Sequence, residues 1–196
     1  MEITFVIVGG ILAGCFLGLS WFAGSDAPYV PTKNERIKKL LKTVGLKKGD
    51  KFWELGSGDG RIVLEAAKLG ADATGIEQSL IRVLWSRYQA KKLASHMECG
   101  NVEFIHGNIF SHLSFPRKRE SINTADVVYI FLLPKGVEKL ELILQKKLKK
   151  NSRVITQTFH FKNWIPIKKI LVTDKKSPNT PLGKNVVEGN FWIYKV

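Results

Sequence analysis

The residues Trp53-Glu54-Leu55-Gly56-Ser57-Gly58-Asp59-Gly60-Arg61 concentrate the chemistry that this sequence can do. Glycines at 56, 58 and 60 let the backbone reach positive φ and pass close to a ligand, and a helix starting directly after them supplies unpaired N–H groups. The spacing separates two classes of ligand. A dinucleotide fingerprint is G-x-G-x-x-G; with Gly56 and Gly58 as its first two glycines, the third falls on Arg61, whose bulk opposes the close helix packing that glycine allows. A second acid stands at Gly75-Ile76-Glu77, the end of the next apolar run, where a carboxylate can accept hydrogen bonds from both hydroxyls of a ribose.

Other chemistries are excluded by residue type. Two cysteines, Cys15 and Cys99, and four histidines at 96, 106, 112 and 160 form neither C-x-x-C nor H-E-x-x-H, so no metal site and no disulfide framework is expected. With 196 residues, 44% of them hydrophobic, the chain can bury one ordinary core. Its 31 basic against 17 acidic residues give a net charge of +14, a surface attracted to anionic lipid or nucleic acid.

The elements that must position these residues follow from the hydrophobic pattern. Thr32-x-x-Glu35 reads as a capping box opening a helix with Ile37, Leu40, Leu41 and Val44 on one face, stopped by Gly45. Strands are predicted over 51–55, 72–76, 102–106, 125–131 and 152–158, with helices over 60–69, 79–95 and 135–148 between them. Alternating strands and helices mean a mostly parallel sheet covered on both faces, with its ligand site at the carboxyl ends of the strands near the switch point. Two last strands, about 168–173 and 190–195, are expected as an antiparallel edge hairpin around the turn-rich 177–183. The basic stretch 111–124 reads as a solvated loop.

The N-terminus carries a different signal. Between Glu2 and Asp26 there is no charge, and Ile3 to Ser25 as a helix would extend about 34 Å, enough to cross a bilayer. No Lys or Arg precedes this stretch and Lys33, Arg36, Lys38, Lys39 and Lys42 follow it. The positive-inside rule then predicts a single-pass membrane protein with its N-terminus outside and the remaining domain cytoplasmic. The expected organisation is a transmembrane anchor at 1–25, a linker at 26–31 and a catalytic domain at 32–196. Gly10, Gly14 and Gly18 share one helix face with small-x-x-x-small spacing, which would allow a homodimer.

The E-x-G-x-G-x-G run at Glu54 to Gly60 resembles the first motif of class I S-adenosylmethionine (SAM) methyltransferases. That resemblance implies a Rossmann-like α/β fold with a seven-stranded sheet and helices on both faces. It also implies a cofactor site built from Glu54, Gly56, Gly58, Gly60 and Glu77. Asn108, in Gly107-Asn108-Ile109-Phe110, stands where that superfamily usually has an Asp accepting from the adenine amino group; the amide oxygen can still accept, without the charge. Taken with the apolar N-terminus, the Pro28-Tyr29-Val30-Pro31-Thr32 linker and the late Phe159-His160-Phe161-Lys162-Asn163-Trp164-Ile165-Pro166, the chain resembles a narrower family. These are small membrane-anchored protein-lysine methyltransferases that modify the ATP synthase c subunit or the adenine nucleotide translocase, with prokaryotic relatives. The resemblance implies Tyr29 and Thr32 closing over the cofactor, a lipid bilayer as neighbour and a lysine of a membrane protein as acceptor.

Lysine methylation needs no covalent nucleophile and no assigned acid or base; it needs a neutral amine held in line with the sulfonium methyl. Tyr129, Phe131, Phe159 and Trp164, at the ends of the fourth and fifth strands, are the aromatic candidates for the acceptor channel. A methyltransferase acting on RNA, or on a lipid or quinone headgroup, stays open, as does a SAM-binding interaction protein without catalysis. Nucleic acid is not the expected partner, because no appended RNA-binding module is visible and the basic residues are dispersed.

Overall fold

The computed structural model describes residues 2–22, 30–114, 121–172 and 189–196. In chain order these form α1 (Glu2–Phe22), α2 (Asn34–Val44), β1 (Lys51–Leu55), α3 (Arg61–Lys68), β2 (Asp72–Glu77), α4 (Leu80–His96), β3 (Val102–His106) and α5 (Ile109–Ser114). A short 3₁₀ turn (Ile122–Thr124), β4 (Val127–Ile130), α6 (Pro134–Lys147), β5 (Arg153–Gln157), β6 (Lys168–Val172) and β7 (Gly189–Lys195) complete them. Seven strands make one sheet in the order β3-β2-β1-β4-β5-β7-β6. The pairs among β1 to β5 are parallel, and β7 runs antiparallel to both β5 and β6. Strand order reverses between β1 and β4, which places the switch-point crevice beside the glycine turn.

Period-two alternation divides the core into two layers. Phe52, Val127, Tyr129 and Ile155 face one side, where Ile37, Leu40 and Leu41 of α2, Ile62, Val63 and Ala66 of α3, and Val83 of α4 pack against them. Trp53, Leu55, Val128, Ile130 and Val154 face the other side, covered by Leu113 of α5 and by Val137, Leu140 and Leu144 of α6. All four residues of β4 are buried, as a central parallel strand with both faces covered requires.

Four expectations need correction. The capping box does not form. Lys33 occupies the N-cap of α2 with no side-chain cap, so Thr32 and Glu35 stand one position early for the motif, and the Thr32 hydroxyl is used elsewhere. The stretch 111–124 is not all loop: α5 ends at Ser114, and the 3₁₀ turn is pinned by Ile122, which is 3% exposed. Among the described residues no helix is long and apolar enough to cross a membrane, which overturns the transmembrane helix and the single-pass location. No described side chain of α1 joins either core layer. Its described side chains, Phe5, Ile7, Ile11 and Leu12 among them, are exposed, and Gly10 and Gly14 have no neighbour within 4 Å of an added Cβ. Gly18, Pro28, Tyr29, the run 116–119 and the turn 177–183 lie outside the described residues or side chains.

Candidate active site

The loop from β1 to α3 turns three times through left-handed backbone, with φ of 94° at Gly56, 54° at Gly58 and 79° at Gly60. At Gly60 a side chain is excluded twice over. Its φ is unfavourable for L-residues, and a Cβ would stand 2.6 Å from Phe104 Cζ and 2.7 Å from Ser86 Oγ. The turn is tied to the sheet by Gly56 and Ser57, whose N–H groups both donate to the Ile76 carbonyl at 2.9 Å. Gly58 N–H donates to Glu77 Oε2 at 2.9 Å, so the end of β2 holds the turn in place. Glu77 Oε1 accepts from Ser79 N–H at 2.9 Å and pairs with the buried Arg82 at 3.4 Å.

Around this turn lies a cavity of about 740 Å³, lined among others by Thr32, Glu54, Gly56, Gly58, Glu77 and Asn108. Six predicted cofactor residues therefore meet in one cavity. Gly60 stands behind the wall as the N-cap of α3. Glu54 is 4% exposed, and its Oε2 has no hydrogen-bond partner. Burial foremost, then the charge of Asp59, pushes its carboxyl well above the usual carboxylate range; Glu77 adds to this, while the Val63 backbone and Arg61 oppose it. Asp59 itself is bound by Arg61 at 2.6 Å.

Asn108 lines the cavity and also caps a helix. Its Oδ1 accepts from the N–H of Phe110 at 2.9 Å and of Ser111 at 3.3 Å, at the start of α5. The aromatic candidates divide. Phe131 lines the cavity, followed along the wall by Leu132, Leu133 and Pro134. Tyr129 is fully buried in the sheet floor and donates its hydroxyl to Gln157 Oε1; burial and the nearby Glu54 charge push its phenol far above the ordinary range. Phe159 and Trp164 are half-buried away from the cavity lining; Trp164 stacks on Phe161 at 5.2 Å and packs against Tyr194 at 5.6 Å, because the turn after β5 carries it over the second core layer.

Three residues escaped the sequence reading. Arg61 donates from Nη1 to the Thr32 carbonyl at 3.2 Å and so joins the N-terminal strap 30–32 to the glycine turn. Gln157 receives the hydroxyls of both Thr32 and Tyr129. Lys139 sits on the cavity wall with Nζ 4.2 Å above the Phe110 ring. The one legible signal was Gln157, a long polar side chain closing the buried run Val154-Ile155-Thr156.

The residues present fit SAM. An approachable glycine backbone, an acid at the end of β2 and a buried, unpartnered carboxylate oxygen in the wall match a ligand with a ribose and a cationic methionyl end. Such a site, at the switch point of a sheet ordered β3-β2-β1-β4-β5-β7-β6, defines a SAM-dependent methyltransferase of class I. The comparisons agree and go further. The family model described as "ANTKMT methyltransferase domain" matches residues 54–168, and the chain belongs to this family of protein-lysine methyltransferases. The chain is 33% identical over 165 residues to the lysine N-methyltransferase of the ATP synthase c subunit from Xenopus laevis, covering 82% of this chain and 68% of that one. It is 31% identical over 155 residues to a protein-lysine N-methyltransferase of Saccharolobus islandicus, covering 78% and 89%. Among solved structures it resembles an RNA methyltransferase from Salinibacter ruber in complex with S-adenosyl-L-homocysteine, with a TM-score of 0.66, 28% identity and coverage of 85% and 94%.

Proposed function

We propose that this enzyme methylates the ε-amine of a lysine on a membrane protein, with SAM held by Thr32, Glu54, Gly56, Gly58, Gly60, Glu77 and Asn108. The observation that carries the reading is the shared wall of the cavity: acids and the glycine turn on one side, and the apolar Phe131-Leu132-Leu133-Pro134 on the other. When bound, SAM supplies a methyl group on a sulfonium. What this chain adds is placement and desolvation. Phe131 and Leu133 remove water from an incoming ammonium, and Lys135 and Lys139 on the same wall oppose a third positive charge, so the acceptor lysine favours its neutral, nucleophilic form. No side chain of the wall need form a covalent intermediate, and proximity supplies the remainder of the rate. The substrate class rests on relatives named for methylating the ATP synthase c subunit.

The test is incubation of the protein with methyl-labelled SAM and membrane, RNA and lipid fractions from cells lacking its gene. Methyl-lysine in hydrolysed membrane protein is the expected result. Label confined to RNA would favour the second reading, which the likeness to the Salinibacter ruber RNA methyltransferase and the net charge of +14 support.

A further inference from the structure

Gln157 is the last residue of β5, 6% exposed, and lies outside the cavity lining. Two buried hydroxyls converge on its Oε1. Tyr129 donates from the floor of the sheet, and Thr32 donates at 3.0 Å from the strap that lines the cavity. Thr32 does not cap α2, and its hydroxyl meets that of Tyr129 as well, so the three side chains form one buried cluster. The next residue, Thr158, is a β-branched residue at a φ of 67°, a conformation that costs free energy and persists only where its surroundings enforce it. Two backbone bonds enforce it here: Thr158 N–H to the Asn190 carbonyl, and Phe159 N–H to the Gln157 carbonyl, each at 2.8 Å. Gln157 is thus pinned from both sides, by β7 through its neighbour and by Tyr129 through its side chain, and its remaining bond reaches the strap.

We propose that Gln157 is a positioning residue that latches Thr32, and with it the strap 30–32, over the methionyl side of the cofactor site. The inference rests on the reading of Thr32 as a cofactor contact and adds the group that holds it there. The strap has two attachments in this scheme. Arg61 holds the Thr32 carbonyl to the glycine turn at 3.2 Å, and Gln157 holds its hydroxyl to the sheet. Loss of the second leaves the strap hinged on the first, so the cofactor site opens while the glycine turn and Glu77 stay as they are.

A double-mutant cycle on the full chain, read as SAM affinity by calorimetry, tests the latch. Thr32→Val and Gln157→Leu each remove one end of the bond and should weaken SAM binding about tenfold, the effect expected of one buried hydrogen bond. Because both remove the same bond, the double variant should also bind about tenfold more weakly than wild type. Thr32→Ser, which keeps the hydroxyl, should bind within about twofold of wild type. Ser152→Ala is the control for a purely structural effect, since it removes a buried hydrogen bond to the Ala125 carbonyl at the other end of β5. It should lower the melting temperature and leave SAM affinity unchanged. Where Gln157→Leu fails to fold, Tyr129→Phe loosens Gln157 from the floor and should weaken SAM severalfold. A double variant about a hundredfold weaker, or single variants indistinguishable from wild type, would overturn the latch. Wild-type protein that does not bind SAM would instead overturn the cofactor reading on which the latch depends.

Discussion

Glu54→Gln should move stability and cofactor affinity in opposite directions. The carboxyl is 4% exposed with Oε2 unpartnered, and burial followed by the Asp59 charge raises its pKa well above the ordinary value. A group whose pKa is higher folded than unfolded holds its proton more tightly in the native state. Its contribution to stability is therefore complete below the unfolded value and is lost as pH climbs through the folded one. The ligand-free enzyme should lose stability over that window, because ionising Glu54 leaves a buried charge with an unmet acceptor. Glutamine has no proton to lose. The variant should be about 1–3 kcal/mol more stable than wild type on the alkaline side of the window, the cost of an unsatisfied buried polar group. For a chain of this size that is roughly 2–12 °C in melting temperature. SAM affinity should fall roughly 10- to 150-fold, because a charge-assisted contact of about 1.5–3 kcal/mol with the cationic methionyl end is lost. Thermal melts without ligand from acid to alkaline pH, with calorimetric SAM titrations of both proteins, read both quantities. A variant that melts below wild type at alkaline pH, or that keeps the wild-type slope, would refute the assignment of a strained buried acid.

Gly60→Ala should cost about 2–5 kcal/mol, from left-handed backbone and the contacts with Phe104 and Ser86, while Gly107→Ala, with nothing within 4 Å of its Cβ, should melt within a degree or two of wild type. Glu77→Ala should destabilise the ligand-free protein by about 3–5 kcal/mol in denaturant titrations, because it breaks a pair whose side chains are 3% and 6% exposed, besides weakening SAM. Asn108→Ala should cost about 1 kcal/mol through the lost α5 cap; Asn108→Asp should retain the cap and the melting temperature, since a carboxylate accepts from the same two N–H groups.

What was legible in the sequence was whatever a period or a spacing encodes. Phe52 and Trp53 fall on opposite faces of β1, and Val128 and Tyr129 on opposite faces of β4, because side chains alternate along a strand; that pattern was readable before any coordinates. The glycine turn was readable for the same kind of reason, since three alternating glycines ahead of a helix have few uses other than a close backbone approach. Glu77 was placed because the end of one strand follows from its length. Each of these depends only on near neighbours in the chain.

What was not legible includes side chains whose partners only the fold supplies. Thr32 looked like a helix cap, but its hydroxyl meets Gln157, 125 residues later, and only the parallel addition of β5 beside β4 brings the two together. The Oδ1 of Asn108 also caps the helix that starts beside it, a bond that the sequence reading did not include. Tyr129 and Trp164 looked like walls of an acceptor channel; the direction of the β4 pleat buries the first, and the turn after β5 carries the second onto Tyr194. Residue types and spacings thus determined which groups are present and which chain segments carry them. Strand order and register decided which polar atoms are already satisfied inside the protein, and one of those left over among the described residues, the Oε2 of Glu54 in the cavity wall, marks where a cationic cofactor is wanted.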